Sequence, residues 1–269
     1  MQIKKLILLL SLLVSGGLSE LNALDIKGVV GFHDNYIPGR EHHTLAVGIG
    51  AYVEHKTESD IMMSGYFDWF LDDDEEEIDD DRYNNWFQSG FNVNGPVTDF
   101  SANTNLLWEV EGDMRYNTVT SIEVYYRGFV GLMPQYHKED FLVGIGLYGG
   151  YYYFELDDDL PARAGFHSDE LTYESLAYCV KGKTDIKLSQ NFTFKAVAKQ
   201  WRDDNDWLQN QVLLDLVYNM SHWIDNSEII LNTEYNHYNF SDAESEIGTT
   251  LDQFRDEEWN TRFFARISF

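Results

Sequence analysis

The chain has 269 residues, a formal charge of −27 at pH 7 and a single cysteine, Cys179. The excess of carboxylates argues against a nucleic acid or an anionic surface as a partner, because both would be repelled. One cysteine excludes an intramolecular disulfide, so the fold must hold without one.

The first segment is predicted to be a secretory signal peptide. Lys4 and Lys5 precede an apolar run over 6–14, and small and polar residues follow as far as Ala23. The run is too short to span a bilayer as a helix, which takes about 20 apolar residues. We therefore expect residues 1–23 to be removed on export and the mature protein to begin near Leu24.

The exported part of the chain alternates between apolar and polar residues. In 98–111, Phe100, Leu106 and Val110 occupy even positions, while Ser101 and Glu109 occupy odd positions. A period of two is typical of strands with one apolar and one polar face. Twelve such segments follow in chain order, at 25–33, 43–54, 60–70, 83–93, 98–111, 118–133, 140–154, 171–187, 192–201, 207–219, 228–240 and 259–269.

Two features favour a transmembrane barrel over a soluble β-sandwich, which also alternates. The acidic connections, among them 71–82 and 155–170, follow odd strands, whereas even strands are followed by mostly short connections. The polar faces carry charges and amides that a sandwich core could not bury without partners. The sequence predicts an all-β fold, in which residues 24–269 form one antiparallel up-and-down barrel of twelve strands.

The signal peptide, the alternating strands and a last strand ending in Phe269 resemble bacterial outer-membrane β-barrel proteins, the porin-like class in general. The resemblance covers the whole chain and identifies no subfamily. It implies a location in the outer membrane, among its lipid and lipopolysaccharide, and assembly by the barrel assembly machinery. In this class the C-terminal aromatic, here Phe269, is the assembly signal.

Charged residues on the polar faces are the candidate lining of the lumen. We expect acids near the outer mouth and most bases toward the periplasmic half, with Arg127 and Lys199 between them. The ten residues are Glu109, Glu111, Glu123, Arg127, Lys181, Lys183, Lys195, Lys199, Arg262 and Arg266. The predicted function is a narrow passive channel for small solutes or ions.

An alternative is a lumen closed by ion pairs, as in small barrels. The protein would then be a non-conducting surface or structural barrel, whose acidic outer connections contact lipopolysaccharide or cations. Leu106 and Val124 are expected on the lipid side near mid-membrane. These positions give the barrel model a direct test, because arginine is poorly tolerated there.

Other candidate sites carry weaker signals. An acidic run could bind a divalent cation, although it lacks EF-hand spacing and such runs are mostly solvated loops. It comprises Asp72, Asp73, Asp74, Glu75, Glu76, Glu77, Asp79, Asp80 and Asp81. His167 with Ser168, or His42 with His43, could serve a lipid-modifying or proteolytic enzyme at the rim, but no motif of such enzymes surrounds them. We expect neither enzymatic activity nor a cofactor.

Overall fold

A computed structural model of the chain describes residues 24–38, 42–72, 85–116, 120, 122–156, 172–247 and 256–268. Twelve strands and one short helix, α1 (Ser241–Ile247), occupy this part of the chain. The strands are β1 (Asp25–Ile37), β2 (His42–Lys56), β3 (Met62–Asp72), β4 (Asn85–Ser101), β5 (Thr104–Tyr116), β6 (Ile122–Lys138), β7 (Phe141–Leu156), β8 (Thr172–Lys187), β9 (Phe192–Arg202), β10 (Trp207–Asn219), β11 (Glu228–Tyr238) and β12 (Glu257–Ser268).

The strands form one closed antiparallel barrel, in which each strand pairs with its neighbours in the sequence. Closure occurs between β1 and β12, where Lys27 lies opposite Ser268 and Tyr36 lies opposite Trp259. A closed barrel has no strand edge with unpaired backbone groups. This suits a membrane, because backbone groups that face lipid find no water to bond. The prediction of a twelve-stranded up-and-down barrel is confirmed.

The outer surface of the barrel is apolar. Leu176 is 82% exposed and Leu147 is 64% exposed, although each is a large aliphatic side chain within a strand. Aromatic pairs mark both ends of this band: the rings of Tyr126 and Tyr153 lie 5.3 Å apart at one end, and those of Phe192 and Tyr218 lie 4.9 Å apart at the other. An apolar band between aromatic girdles is the surface of outer-membrane barrels. The protein is a β-barrel of the bacterial outer membrane.

None of the helices among the described residues is long and apolar enough to cross a membrane.

The connections after even strands include tight turns, such as Ala102–Asn103 and Glu139–Asp140. The non-glycine residues with positive φ in the described chain, Asp60, Glu139 and Asn226, all lie in these connections. The predicted signal peptide, the acidic run beyond Asp72, and Phe269 lie outside the described residues. Their assigned roles stay predictions.

The boundary between β4 and β5 differs from the prediction. The sequence placed a break at 94–97, but β4 continues to Ser101 and its register shifts between Pro96 and Thr98. Proline is tolerated in a strand at such an irregularity. The alternation did not reveal the true turn. Thr98 at the end of β4 lies opposite Leu106 on β5, so even-numbered residues face the same side of the wall before and after the turn and the pattern continues without a break.

The expected depth of two residues was also wrong. Leu106 and Val124 are each the third residue of their strands, so they lie near opposite ends of the barrel wall and not at mid-membrane.

Candidate functional site

A hydrogen-bonded network crosses the outer half of the lumen. Arg115 on β5 donates hydrogen bonds to both carboxylate oxygens of Glu258 on β12, at 2.7 and 3.2 Å. The Tyr238 hydroxyl and the Asn236 amide donate to the same carboxylate at 2.9 and 2.8 Å. The Arg115 side chain is 2% exposed and that of Glu258 is 3% exposed, so the ion pair is removed from solvent.

The network returns to β5 through the other side of the barrel. The side-chain oxygen of Asn236 accepts a hydrogen bond from the Gln209 amide at 2.8 Å, and the side-chain oxygen of Gln209 accepts one from Arg127 at 2.8 Å. Arg127 is bonded in turn to Asp113, two residues before Arg115. We call Asp113, Arg115, Arg127, Gln209, Asn236 and Glu258 the outer network. Since β5 and β11 are six strands apart in a ring of twelve, the contact of Arg115 with Tyr238 crosses the lumen.

A second cluster of charges lies deeper in the lumen. The Lys181 ammonium lies 2.9 Å from a Glu109 oxygen and 2.7 Å from a Glu111 oxygen. Lys199 lies 3.0 Å from the other Glu111 oxygen. The Tyr148 hydroxyl also donates to Glu109. These four charged residues, the lysine–glutamate cluster, connect β5 to β8 and β9 and neutralise one another.

Aromatic packing fills the side of the lumen formed by β6 to β9. Trp201 and Cys179 are 0% exposed, and Tyr152 is 1% exposed. The Arg127 guanidinium lies 4.4 Å from the centre of the Trp201 ring and 4.1 Å from that of Tyr125. Cation–π contacts of this kind are strongest when they are desolvated, so they hold Arg127 in place.

Further charges lie between the outer network and the periplasmic end of the lumen. At mid-depth Arg262 pairs with Glu234 at 3.0 Å, and in the periplasmic half Arg266 pairs with Glu228 at 3.1 Å. Lys183 and Lys195 are half-buried on the interior faces of β8 and β9, and among the described residues neither has a carboxylate within 4.0 Å. This half is therefore less tightly cross-linked than the outer half.

The structure places nine of the ten predicted lining residues on the interior face of the wall. Glu123 is the exception. The pairing of β6 with β7 shifts in register between Ile122 and Val124, so Glu123 is an extra residue outside the regular alternation of the strand. The expected separation of acids from bases along the axis is wrong for Lys181, which bonds directly to Glu109 and Glu111. Lys199, expected between the two groups, bonds to Glu111. Whether these residues line a pore stays a prediction.

Sequence reasoning missed the outer network. Arg115 and Asp113 lie beyond the predicted end of β5, and Glu258 lies before the predicted start of β12. A signal was present, because Asp113 and Arg115 continue the odd-numbered interior face of Glu109 and Glu111. Extending that alternation would have found both residues.

Helix α1 lies at the outer end of the barrel, above β8. Ala243 is 1% exposed and Phe240 is 8% exposed, with the Phe240 ring 5.9 Å from that of Phe154. Burial raises the pKa of Asp242, and the neighbouring charge of Asp203 raises it further. For Asp203 burial acts the same way, but hydrogen bonds from Tyr173 and backbone amides outweigh it and lower its pKa.

The weaker candidates do not assemble into a site within the described residues. His43 lies 3.0 Å from Asp34 and is exposed on the outer face of the barrel, while His167 and Ser168 fall outside the description. No group of three or more potential metal ligands occurs in the described part of the chain. Of the acidic run, only Asp72 is described, so its proposed cation binding stays untested.

No family model matches the chain, and no curated protein matches it. Solved outer-membrane barrels resemble its fold. The NanC porin is 14% identical with a TM-score of 0.49, covering 89% of this chain and 100% of that one. The KdgM porin in complex with disordered oligogalacturonate is 10% identical with a TM-score of 0.45, covering 90% and 99%. Outer membrane phospholipase A from Escherichia coli is 9% identical with a TM-score of 0.42, covering 90% of each chain.

Proposed function

We propose that this outer-membrane barrel is closed to solutes of porin size and acts as a surface barrel. The observation that carries the proposal is the ion pair of Arg115 with Glu258, which links strands on nearly opposite sides of the lumen and is almost fully buried. An open aqueous pore at this depth would expose both side chains. The lysine–glutamate cluster fills part of the lumen at a deeper level, and the aromatic side chains of β6 to β9 fill that side of it.

On this proposal the partners lie at the membrane surface. The acidic connections that follow odd strands would contact lipopolysaccharide, with divalent cations bridging carboxylates to its phosphates. The proposal also assigns the barrel no enzymatic activity.

A narrow passive channel is the second candidate function. The observation in its favour is the pair of lysines, Lys183 and Lys195, which face the periplasmic half of the lumen without a described counter-ion. Charged groups of this kind need water, so part of the lumen would be wet. Passage would then require the outer network to open.

Conductance across planar bilayers separates the two functions. We expect refolded wild-type protein to give no porin-sized steps, and the double variant Arg115→Ala with Glu258→Ala to give steps, because it removes the crossing side chains. Lys56→Ala, which removes an exposed ion pair outside the lumen, is the matched control. Stable porin-sized steps from the wild type would overturn the proposal and favour the open channel.

A further inference from the structure

Buried polar atoms without a protein partner are concentrated on one side of the lumen. Seven of them belong to interior-facing residues of β11, β12, β1 and β3, within the arc of the wall that runs from β11 to β3 and includes β2. They are Asn35 Oδ1, His33 Nδ1, Asn260 Nδ2, Arg262 Nε, Arg266 Nε, Asn232 Oδ1 and Asp68 Oδ1. Buried polar atoms in proteins almost always bond either to protein or to ordered water.

The register between β1 and β12 arranges these atoms in levels. Asn35 lies opposite Asn260 and His33 lies opposite Arg262. Two levels further toward the periplasm, Val29 lies opposite Arg266. Successive interior positions of a strand are about 6.6 Å apart, so the levels extend over about 20 Å of strand. That length is most of the wall within the membrane.

A cavity occupies the level between them, where Gly31 lies opposite Phe264. Measured as the space open to the centre of a water molecule, it is about 20 Å³, enough for one water. Its lining includes Asp68 and Arg262, which supply two of the atoms without partners. A side chain at Gly31 would collide with the Cβ of Phe264 and with the backbone of β12, so glycine is required for the close packing of the two strands beside the cavity.

The opposite side of the lumen offers no comparable row. Phe129, Met133, Tyr148 and Cys179 pack there with 3% exposure or less. Among the described residues of β6 to β9, Trp201 Nε1 is the one buried side-chain polar atom without a partner. The arrangement is therefore one-sided: a packed aromatic wall faces a polar wall with spare hydrogen-bonding capacity.

We propose that a hydrated seam runs along the junction of β1 and β12 and binds a file of water molecules. The file extends from Asn35 and Asn260 to Arg266, and water and small ions move along it beside the wall. The inference goes beyond the proposed function, because it concerns a path around the outer network and not solute flow along the barrel axis.

Cysteine accessibility tests the seam directly, because the native Cys179 is buried on the packed side. Asn35→Cys and Val29→Cys place thiols near the two ends of the seam, and Ala177→Cys is the matched control on the packed side. In refolded barrels we expect methanethiosulfonate ethylammonium, a small cation, to modify both seam thiols at least about tenfold faster than the control, since thiol reactivity depends on access. Equal rates at seam and control positions would overturn the seam.

Osmotic swelling of proteoliposomes tests movement of water. The wild type should swell faster than vesicles without protein, and Gly48→Ala should slow it, because a methyl group there displaces the Phe70 ring that lines the cavity. A gel shift on heating verifies that this variant is folded. Swelling equal to that of empty vesicles would contradict the path. The bilayer conductance that tests the outer network is a separate measurement, so the two proposals can fail independently.

Discussion

Replacing Arg115 by alanine is expected to destabilise the barrel by about 3 kcal/mol. Removing one partner of a buried ion pair costs about 3–5 kcal/mol, because the other charge is left uncompensated. The Glu258 carboxylate would keep its hydrogen bonds from Tyr238 and Asn236, at 2.9 and 2.8 Å, which places the cost near the lower end. Two unit charges about 4 Å apart attract by about 4 kcal/mol at an effective dielectric constant of 20, which agrees in size.

The assay is urea unfolding in lipid vesicles, followed by the gel shift that separates folded from unfolded barrel. Lys56→Ala is the control, because Lys56 and Asp60 form an ion pair with side chains 59% and 69% exposed. Exposed pairs contribute about 0–1 kcal/mol, so the control should unfold close to the wild type. Combining Arg115→Met with Glu258→Gln removes both charges and should cost less than Arg115→Ala alone.

A loss of less than about 1 kcal/mol of unfolding free energy in Arg115→Ala would refute the reasoning, because a buried carboxylate without its counter-ion destabilises the fold by more than that. The Glu258 side chain would then have to reach water, and the lumen would be open at this depth. The same outcome would remove the main support for a closed barrel.

Three other changes test the fold and the outer end. Leu214→Arg, on the lipid side of mid-β10, should destabilise by about 2–4 kcal/mol, whereas Leu213→Arg, on the lumen side, should cost about 1 kcal/mol or less; equal losses would contradict the two faces. Deleting Phe269 should lower the yield of heat-modifiable barrel in cells, and unchanged assembly would remove its role as the assembly signal. Asp242→Asn should raise the thermal midpoint of unfolding at pH 7 but not near pH 3. Because the pKa of Asp242 is raised in the folded protein, the fold loses stability as the pH rises and the carboxyl ionises. Near pH 3 the carboxyl is neutral, so the substitution removes no charge. An equal rise at both pH values would show that its charge is irrelevant.

The sequence by itself determined the strand number and the two faces of each strand. Alternation is a local property, because successive side chains of a strand point to opposite sides, so twelve segments could be counted without knowing what they pack against. The resemblance to outer-membrane barrels added closure between the first and last strands, which the register of Lys27 opposite Ser268 confirms. The alternation failed at the turn of Ala102 and Asn103, because even positions keep the same face across that turn.

Only the tertiary structure decided which charges meet inside the barrel. Arg115 and Glu258 are 143 residues apart in the chain, and no spacing in the sequence links them. Their contact depends on the tilt and stagger of all the strands between them, which set the depth of each side chain in the lumen. The same geometry brings Lys181 to Glu109, which a count along separate strands assigned to opposite halves. Periodicity shows that a charged side chain faces the lumen, but the closed wall decides which partner it finds there.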